Sequence, residues 1–504
     1  MRFFFMISGP ARVRLVQASA VLAAAALVAG CGNAYRPVVT PINPSGPSAQ
    51  VTSYAIVVSA PSPTAAGVVT IVDYAGDSVM AIAPVGPGPR NFVLDAIGAT
   101  GYTLGSDGTL ANFPITTTLQ AKNVTYSTLS SAAQPLNFMA PTAGFWASDL
   151  NGNVVDVFTG SPQAYKLSIP VAPTPITVVG SPSPAGQREY AISQNFADPT
   201  GVACNLSPTT QPTGLATPIE IATYTADAPI PVGKCPVYAV QSPDQRRLFV
   251  LNRGDDTITV INTQNNTLDQ CAPFLNQNGQ TVTCHPTLPL STTAVTATGI
   301  TPPNGASGMP ALAGPVYAEY NSATNQIVVA DYDGGTISMI DVGLDEYGND
   351  GPTFGTTYTI PVGKNPASVT VLNDGSRAYT ANQADGTVTI ANLSSHTVEK
   401  TLTVVGHPRT VASTQNSLYG KVYTASPDSD YVTILATLTD LVDTTVLVQG
   451  NVVDLRVTTQ SGTNGNSNIV SRMPGYGQPC NLPPALMVST YGSNYTLKQC
   501  QAIP

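Results

Sequence analysis

The chain of 504 residues has only three imidazoles, His285, His396 and His407. None lies in a pattern that activates a nucleophile or holds a metal. There is no G-x-S-x-G elbow, no H-E-x-x-H, no P-loop and no dinucleotide fingerprint. His285 follows Cys284, and His396 sits in the run Ser394-Ser395-His396-Thr397. His407 is better placed: it stands in Val405-Gly406-His407-Pro408-Arg409, where parallel stretches carry Lys234 and Lys364. Acids gather in short tips, as Asp255, Asp256, Asp333, Asp385, Asp428 and Asp430. Calcium needs six to eight oxygens converging on one point. One or two carboxylates per tip fit turn chemistry better. No catalytic, cofactor-binding or metal-ligating set is therefore assigned. The candidate ligand contacts are the cations Lys234, Lys364, His407 and Arg409.

These residues are spaced by a repeat. Residues 246–262 read RRLFVLNRGDDTITVIN, residues 325–341 NQIVVADYDGGTISMID and residues 376–392 SRAYTANQADGTVTIAN. Each is two β-rich runs around a Gly/Asn/Asp tip, which reads as a hairpin. A Pro opens a preceding strand at Pro236, Pro315 and Pro366, always 16 residues before the tip. Val232-Gly233 and Val362-Gly363 precede two of these prolines. Further hairpin signatures fall near 79, 110, 154, 215 and 432; those at 110 and 154, and at 388 and 432, are 44 residues apart, Ile219 lies 42 before Ile261, and the first interval is 31. Four short strands in about 40–45 residues is the plan of a β-propeller blade. The expectation is an all-β propeller of seven or eight four-stranded blades. Segment 67–84 would share a blade with the C-terminal run Val452–Val457, closing the ring. Trp146, the single Trp, matches Phe249 and Tyr379 in strand position and is expected to pack between blades. In this architecture the Lys234, Lys364, His407 and Arg409 turns border the channel mouth.

The repeat resembles the YVTN-type β-propeller family of bacterial and archaeal surface proteins. The resemblance is carried by Ser242-Pro243-Asp244, Leu248–Asn252, Thr257–Asn262 and Ile230–Gly233. It is strong over 230–262 and 315–449 and weak before 215. It departs at two inserts, near 194–212 and 264–312, and in the tail after about 458.

Only 10% of residues are charged, and the net charge is −9. An acidic chain lacks the basic face that nucleic acid or an anionic membrane requires. Arg12 and Arg14 precede the apolar run Ala18–Ala29, which ends in Val28-Ala29-Gly30-Cys31. That is a secretory signal over 1–30, and Cys after Ala-Gly looks like a bacterial lipobox, with Cys31 the lipidated residue. Residues 31–50 carry Pro37, Pro41, Pro44 and Pro47 and read as a stiff tether. At ~3.1 Å per residue it reaches about 60 Å. The propeller is assigned to 51–460 and a C-terminal tail to 461–504. Six further cysteines in an exported chain point to disulfides. Cys271 and Cys284 share one insert, Cys480 and Cys500 share the tail, and Cys204 and Cys235 are left to each other.

The functional expectation is a non-enzymatic binding scaffold, monomeric and without cofactor, lipid-anchored in the outer membrane. Its partner would be a protein, glycan or small ligand. The alternatives are an exported propeller enzyme of lactonase or quinone-dependent dehydrogenase type and a structural surface-layer protein. Long loops on a rigid scaffold commonly carry function, so the two inserts are the first place to look.

Overall fold

The computed structural model describes residues 53–458 apart from 90, 96–97, 129–134, 140–144, 161–162, 181–187, 197–203, 205–209, 277–278 and 291–312. The signal, the tether, Cys31, Cys480, Cys500 and the tail 461–504 lie outside the described residues. Eight antiparallel sheets form the blades of a β-propeller. Blade 1 joins Tyr54–Ala60, Ala66–Asp73 and Val79–Pro87 to the C-terminal strand Asn451–Val457. Blades 2 to 8 follow in chain order. Their inner strands are Asn91–Leu94, Pro135–Met139, Pro175–Gly180, Pro236–Gln241, Pro315–Asn321, Pro366–Val371 and Thr410–Ser413. Each inner strand adjoins the next, and the last adjoins Asn451–Val457, so the ring closes. At the seam Ala55 pairs with Val457, Val57 with Leu455 and Ala60 with Asn451. Pairing the first and last strands of the propeller leaves no unpaired seam strand among the described residues. The count is therefore eight.

The strand sequences follow from where each strand lies. The second strand of blade 5, Arg247–Asn252, is buried throughout because neighbouring blades cover both its faces. The outer strand of blade 7, Thr397–Thr403, is largely exposed and reads Thr, Glu and Lys. Cores form between blades. Ile192 and Ala216 of blade 4 meet Ala239, Leu248 and Val250 of blade 5. Across the seam, Ala55, Val57 and Leu455 meet Ala412, Tyr423 and Ile434 of blade 8. Trp146 is buried, in the core shared with Val178 and Ala191 of blade 4.

The propeller has two faces. On the upper face each inner strand begins and the second strand turns into the third. In blade 5 this end holds Pro236, Asn252 and Thr257, which are in register. The lower face holds the other two turns of each blade. Chain direction in blade 1 places both Tyr54 and Val457 on the lower face, where Thr458 N–H donates to Tyr54 O at 2.9 Å.

Backbone turns onto the upper face share one device. The residue before the opening Pro is left-handed in four consecutive blades: Thr174, Cys235, Gly314 and Asn365, with φ of 53°, 48°, 61° and 52°. The Val-Gly turns have a separate reason. A Cβ on Gly233 or Gly363 would lie 2.6 Å from the carboxamide of Asn252 or Asn382. Those Asn side chains each donate to two Thr hydroxyls of the third strand, Thr257 and Thr259 or Thr387 and Thr389.

On the lower face, latches join successive blades. Arg188, Arg247, Arg377 and Lys421 all occupy the first position of a second strand. Arg188 donates to Thr263 O, Arg247 to Gly348 O, Arg377 to Thr437 O, and Lys421 to Asp77, in each case on the next blade.

Candidate functional site

Both inserts have attachment points on the upper face. The first insert leaves blade 4 after Ser193 and returns at Thr213, within an upper-face turn. It is fixed by a Cys204–Cys235 disulfide at the base of the Lys234 turn. Gln194, 1% exposed, donates through Nε2 to Pro236 O at 3.2 Å beneath that bond. The second insert is partly structural. Thr287–Pro289 pairs with the third strand of blade 5 and completes its outer edge, so this part is not a free loop. A short hairpin, Phe274–Leu275 with Thr281–Val282, is closed by a Cys271–Cys284 disulfide. The remainder departs at Leu290 on the upper face, where Leu290 N–H donates to Asp256 O at 2.9 Å, and rejoins at Ala313.

The acidic tips are engaged mainly in turns. Lys234 N–H donates to Asp255 at 3.0 Å, Lys364 N–H to Asp385 at 2.7 Å and His407 N–H to Asp428 at 2.9 Å. Each pair is 21 residues apart, so one bond is repeated in three blades. The His407 ring also faces Asp428 through Nδ1, and these bonds hold the Asp428 carboxyl below its ordinary range against the opposing effect of burial. The backbone of each turn is thus fixed, with the Lys364 and His407 side chains exposed above it and Lys234 half-buried. Arg409 departs from its expected place. It is 2% exposed, and its guanidinium donates to Val453 O in the inner strand of blade 1. Its guanidinium thus links blade 8 to blade 1 and is not exposed at the mouth.

The tips of blades 5 and 6 are joined to each other, beyond the turn chemistry expected of them. Arg253 forks onto Asp333 at 3.0 and 2.8 Å and lies over the Tyr332 ring at 5.2 Å. This is the bidentate geometry that makes Arg–carboxylate pairs strong. Asp256 accepts the Gly314 N–H at 2.7 Å, and burial pushes its carboxyl up to about 6. Beneath them Asp331 takes the position that Asn252 and Asn382 hold in blades 5 and 7. It accepts from Thr336 at 3.1 Å and Ser338 at 2.6 Å, and burial pushes it up to about 8. The Tyr332 hydroxyl donates to Gln383 at 3.3 Å, extending the chain of contacts to blade 7. One signal was present in the sequence: Arg253 is the only cation within these hairpin tips.

A buried cluster lies at the lower, outer edge of blades 5 and 6. Arg247 Nη2 meets Asp269 at 3.1 Å and Asp350 at 3.2 Å, and Asp350 accepts from His285 N–H at 3.1 Å while facing its Nδ1 at 2.8 Å. His285 thus anchors the disulfide-closed hairpin to blade 6. Among the described residues no group of three or more His, Cys, Asp or Glu is arranged to hold a metal ion. No helix among them is long and apolar enough to cross a membrane.

Comparison with known proteins supports the architecture. The structure resembles apo AztD from Citrobacter koseri, with a TM-score of 0.53 and 12% identity over 80% of this chain and 97% of that one. A putative 6-phosphogluconolactonase from Bacteroides fragilis scores 0.48 at 14% identity, covering 82% of this chain and 99% of its own. A periplasmic gluconolactonase from Pseudomonas aeruginosa scores 0.47 at 14% identity, covering 81% and 99%. No family model matches the chain, and no curated protein matches it in sequence. The class established is an eight-bladed β-propeller.

Proposed function

We propose that the protein is an exported, lipid-anchored propeller of the YVTN-repeat kind that binds a protein, glycan or small ligand on its upper face. The observation that carries this reading is the set of insert attachment points and exposed cations on that face. The Cys204–Cys235 staple, the Leu290 and Ala313 ends of the second insert and the Lys364 and His407 side chains all lie there. In this reading Cys31 carries the lipid, residues 31–50 are the tether, and the upper face points away from the outer membrane. The two disulfides accord with export to an oxidising compartment. Fixed turns carrying exposed cations are suited to recognition, because little backbone order is lost on binding. The test is cross-linked capture from intact envelopes, using wild type and a Lys364→Glu, His407→Glu double variant. A partner retained by wild type and weakened by about tenfold or more in the variant supports the reading. Capture of nothing, together with measured turnover of a substrate, contradicts it.

One observation favours an enzyme at the same face. Asp256, held near 6 beside the Arg253–Asp333 fork, has the protonation range of a general acid or base. Turnover across a lactone and ester panel that Asp256→Asn abolishes without unfolding the chain would decide for that reading.

A further inference from the structure

The lower face carries exposed apolar side chains that the upper-face reading leaves unexplained. Leu418, Tyr419 and Leu438 of blade 8 are 59%, 73% and 64% exposed. They belong to the two lower-face turns of one blade, and those turns are hydrogen-bonded to each other. Thr437 N–H donates to Gly420 O at 3.0 Å, and its hydroxyl to Asn416 O at 2.9 Å. The turn itself is fixed by Asn416 Oδ1, which accepts the N–H groups of Leu418 at 3.0 Å and Tyr419 at 2.8 Å. Arg377 of blade 7 clamps both turns from below, through Ser417 O and Thr437 O, each at 2.8 Å. The apolar residues are therefore held outward by a rigid polar base.

Their place in the fold indicates an occupant. Two residues after Tyr419, Lys421 lies 5.5 Å from the Tyr74 ring centroid and pairs with Asp77 of blade 1. Tyr74 N–H in turn donates to the carbonyl of Ser53 at 3.2 Å. Ser53 is where the chain arrives from Cys31 and the Pro-rich stretch. The patch thus adjoins the point at which the tether meets the propeller. We propose that Leu418, Tyr419 and Leu438 are a bilayer-docking patch that seats the lower face on the membrane. This rests on the lipid-anchor reading, because the tether alone allows about 60 Å of separation and sets no orientation.

The charges beneath the patch are paired, Arg377 with Asp440 and Lys421 with Asp77. The whole chain is acidic, so attraction to anionic lipid is not the driving force. Apolar insertion with Tyr at headgroup level is the remaining mode, and it suits a zwitterionic surface. Seating blade 8 in this way also keeps the upper face directed outward.

The test uses the full chain, purified from envelopes and reconstituted in phosphatidylcholine vesicles containing dibrominated acyl chains. Two variants report position, Tyr419→Trp on the lower face and Lys364→Trp on the upper, against the constant background of buried Trp146. Quenching at position 419 is expected to exceed that at 364 by about threefold or more. It should be insensitive to salt and should fall by about half when Leu418→Ser and Leu438→Ser are added. Equal or absent quenching overturns the proposal. So does unquenched, blue-shifted emission at 419 that depends on protein concentration, which means a second copy covers the patch. The same emission relieved by deleting 459–504 means the tail covers it and also overturns the proposal. Incorporation of labelled palmitate at Cys31 tests the anchor separately. If it fails, the same quenching measured with protein added from outside still decides the patch.

Discussion

Blade 7 passes from its third strand, Thr387–Asn392, through one short turn to its outer strand, Thr397–Thr403. Blade 5 starts in the same register but breaks off after Thr267–Leu268, forms the disulfide-closed hairpin and takes its outer edge from Thr287–Pro289. Both open their second strand on Arg, and both close it on an Asn that bridges two Thr. The arginines meet different surroundings. Arg377 reaches the ordinary turn of blade 8 and stays partly exposed, whereas Arg247 is 3% exposed between Asp269 and Asp350. The inner strands of a blade are thus constrained by their neighbours on both sides, while the outer edge can be rebuilt if new buried polar groups find partners.

The largest expected effect tests that contrast. Arg247→Met leaves two buried carboxylates without their cation and should destabilise by ~3–5 kcal/mol in urea unfolding. Arg377→Met, in a wetter site, should cost only about 1–3 kcal/mol. Equal losses would show that the rebuilt edge is no more dependent on its charges than the regular one.

Opening the Cys271–Cys284 loop with paired Ser substitutions should cost ~3 kcal/mol, in the chain-entropy view. The loss should fall on the insert, as faster limited proteolysis between 271 and 284, while amide exchange in blade 7 is unchanged. Slowed proteolysis or faster exchange in blade 7 would mean that the insert is not an independent addition.

Blade 6 extends the comparison, since Asp331 replaces the bridging Asn. Its folded pKa, near 8, is raised above the ordinary carboxyl value of 3.8. Its contribution is full below pH ~4 and is lost as pH rises through about 8. Between pH 6 and pH 7 wild type should therefore lose about 1.4 kcal/mol that Asp331→Asn retains. Parallel pH profiles by denaturant unfolding would refute the assignment. The smallest effect is the control: Asn252→Ala and Asn382→Ala should each cost ~1 kcal/mol, and by similar amounts, because their bonds match.

Much of this was legible in the sequence because the repeat is local. Prolines 16 residues before each tip and β-branched runs on either side gave strands, blade spacing and the closure of 67–84 with 452–457. Eight blades over seven required the seam pairing itself. The placement of Arg409 was not readable, because its position in the turn matches the mouth pattern while Val453, 44 residues on, takes its guanidinium. The Arg253–Asp333 fork was hidden for the same reason, its partners being 80 residues apart.

The sequence by itself determined the all-β class, the blade register, the hairpin tips and the sites of interruption. Each follows from side-chain periodicity and turn propensity within about 45 residues. Tertiary structure alone decided on which face the ends of the inserts attach, that Arg409 is buried and which apolar turn lies beside the start of the propeller. Those depend on closing the ring, which brings together residues from neighbouring blades and from the first and last strands of the propeller. No local pattern records such contacts.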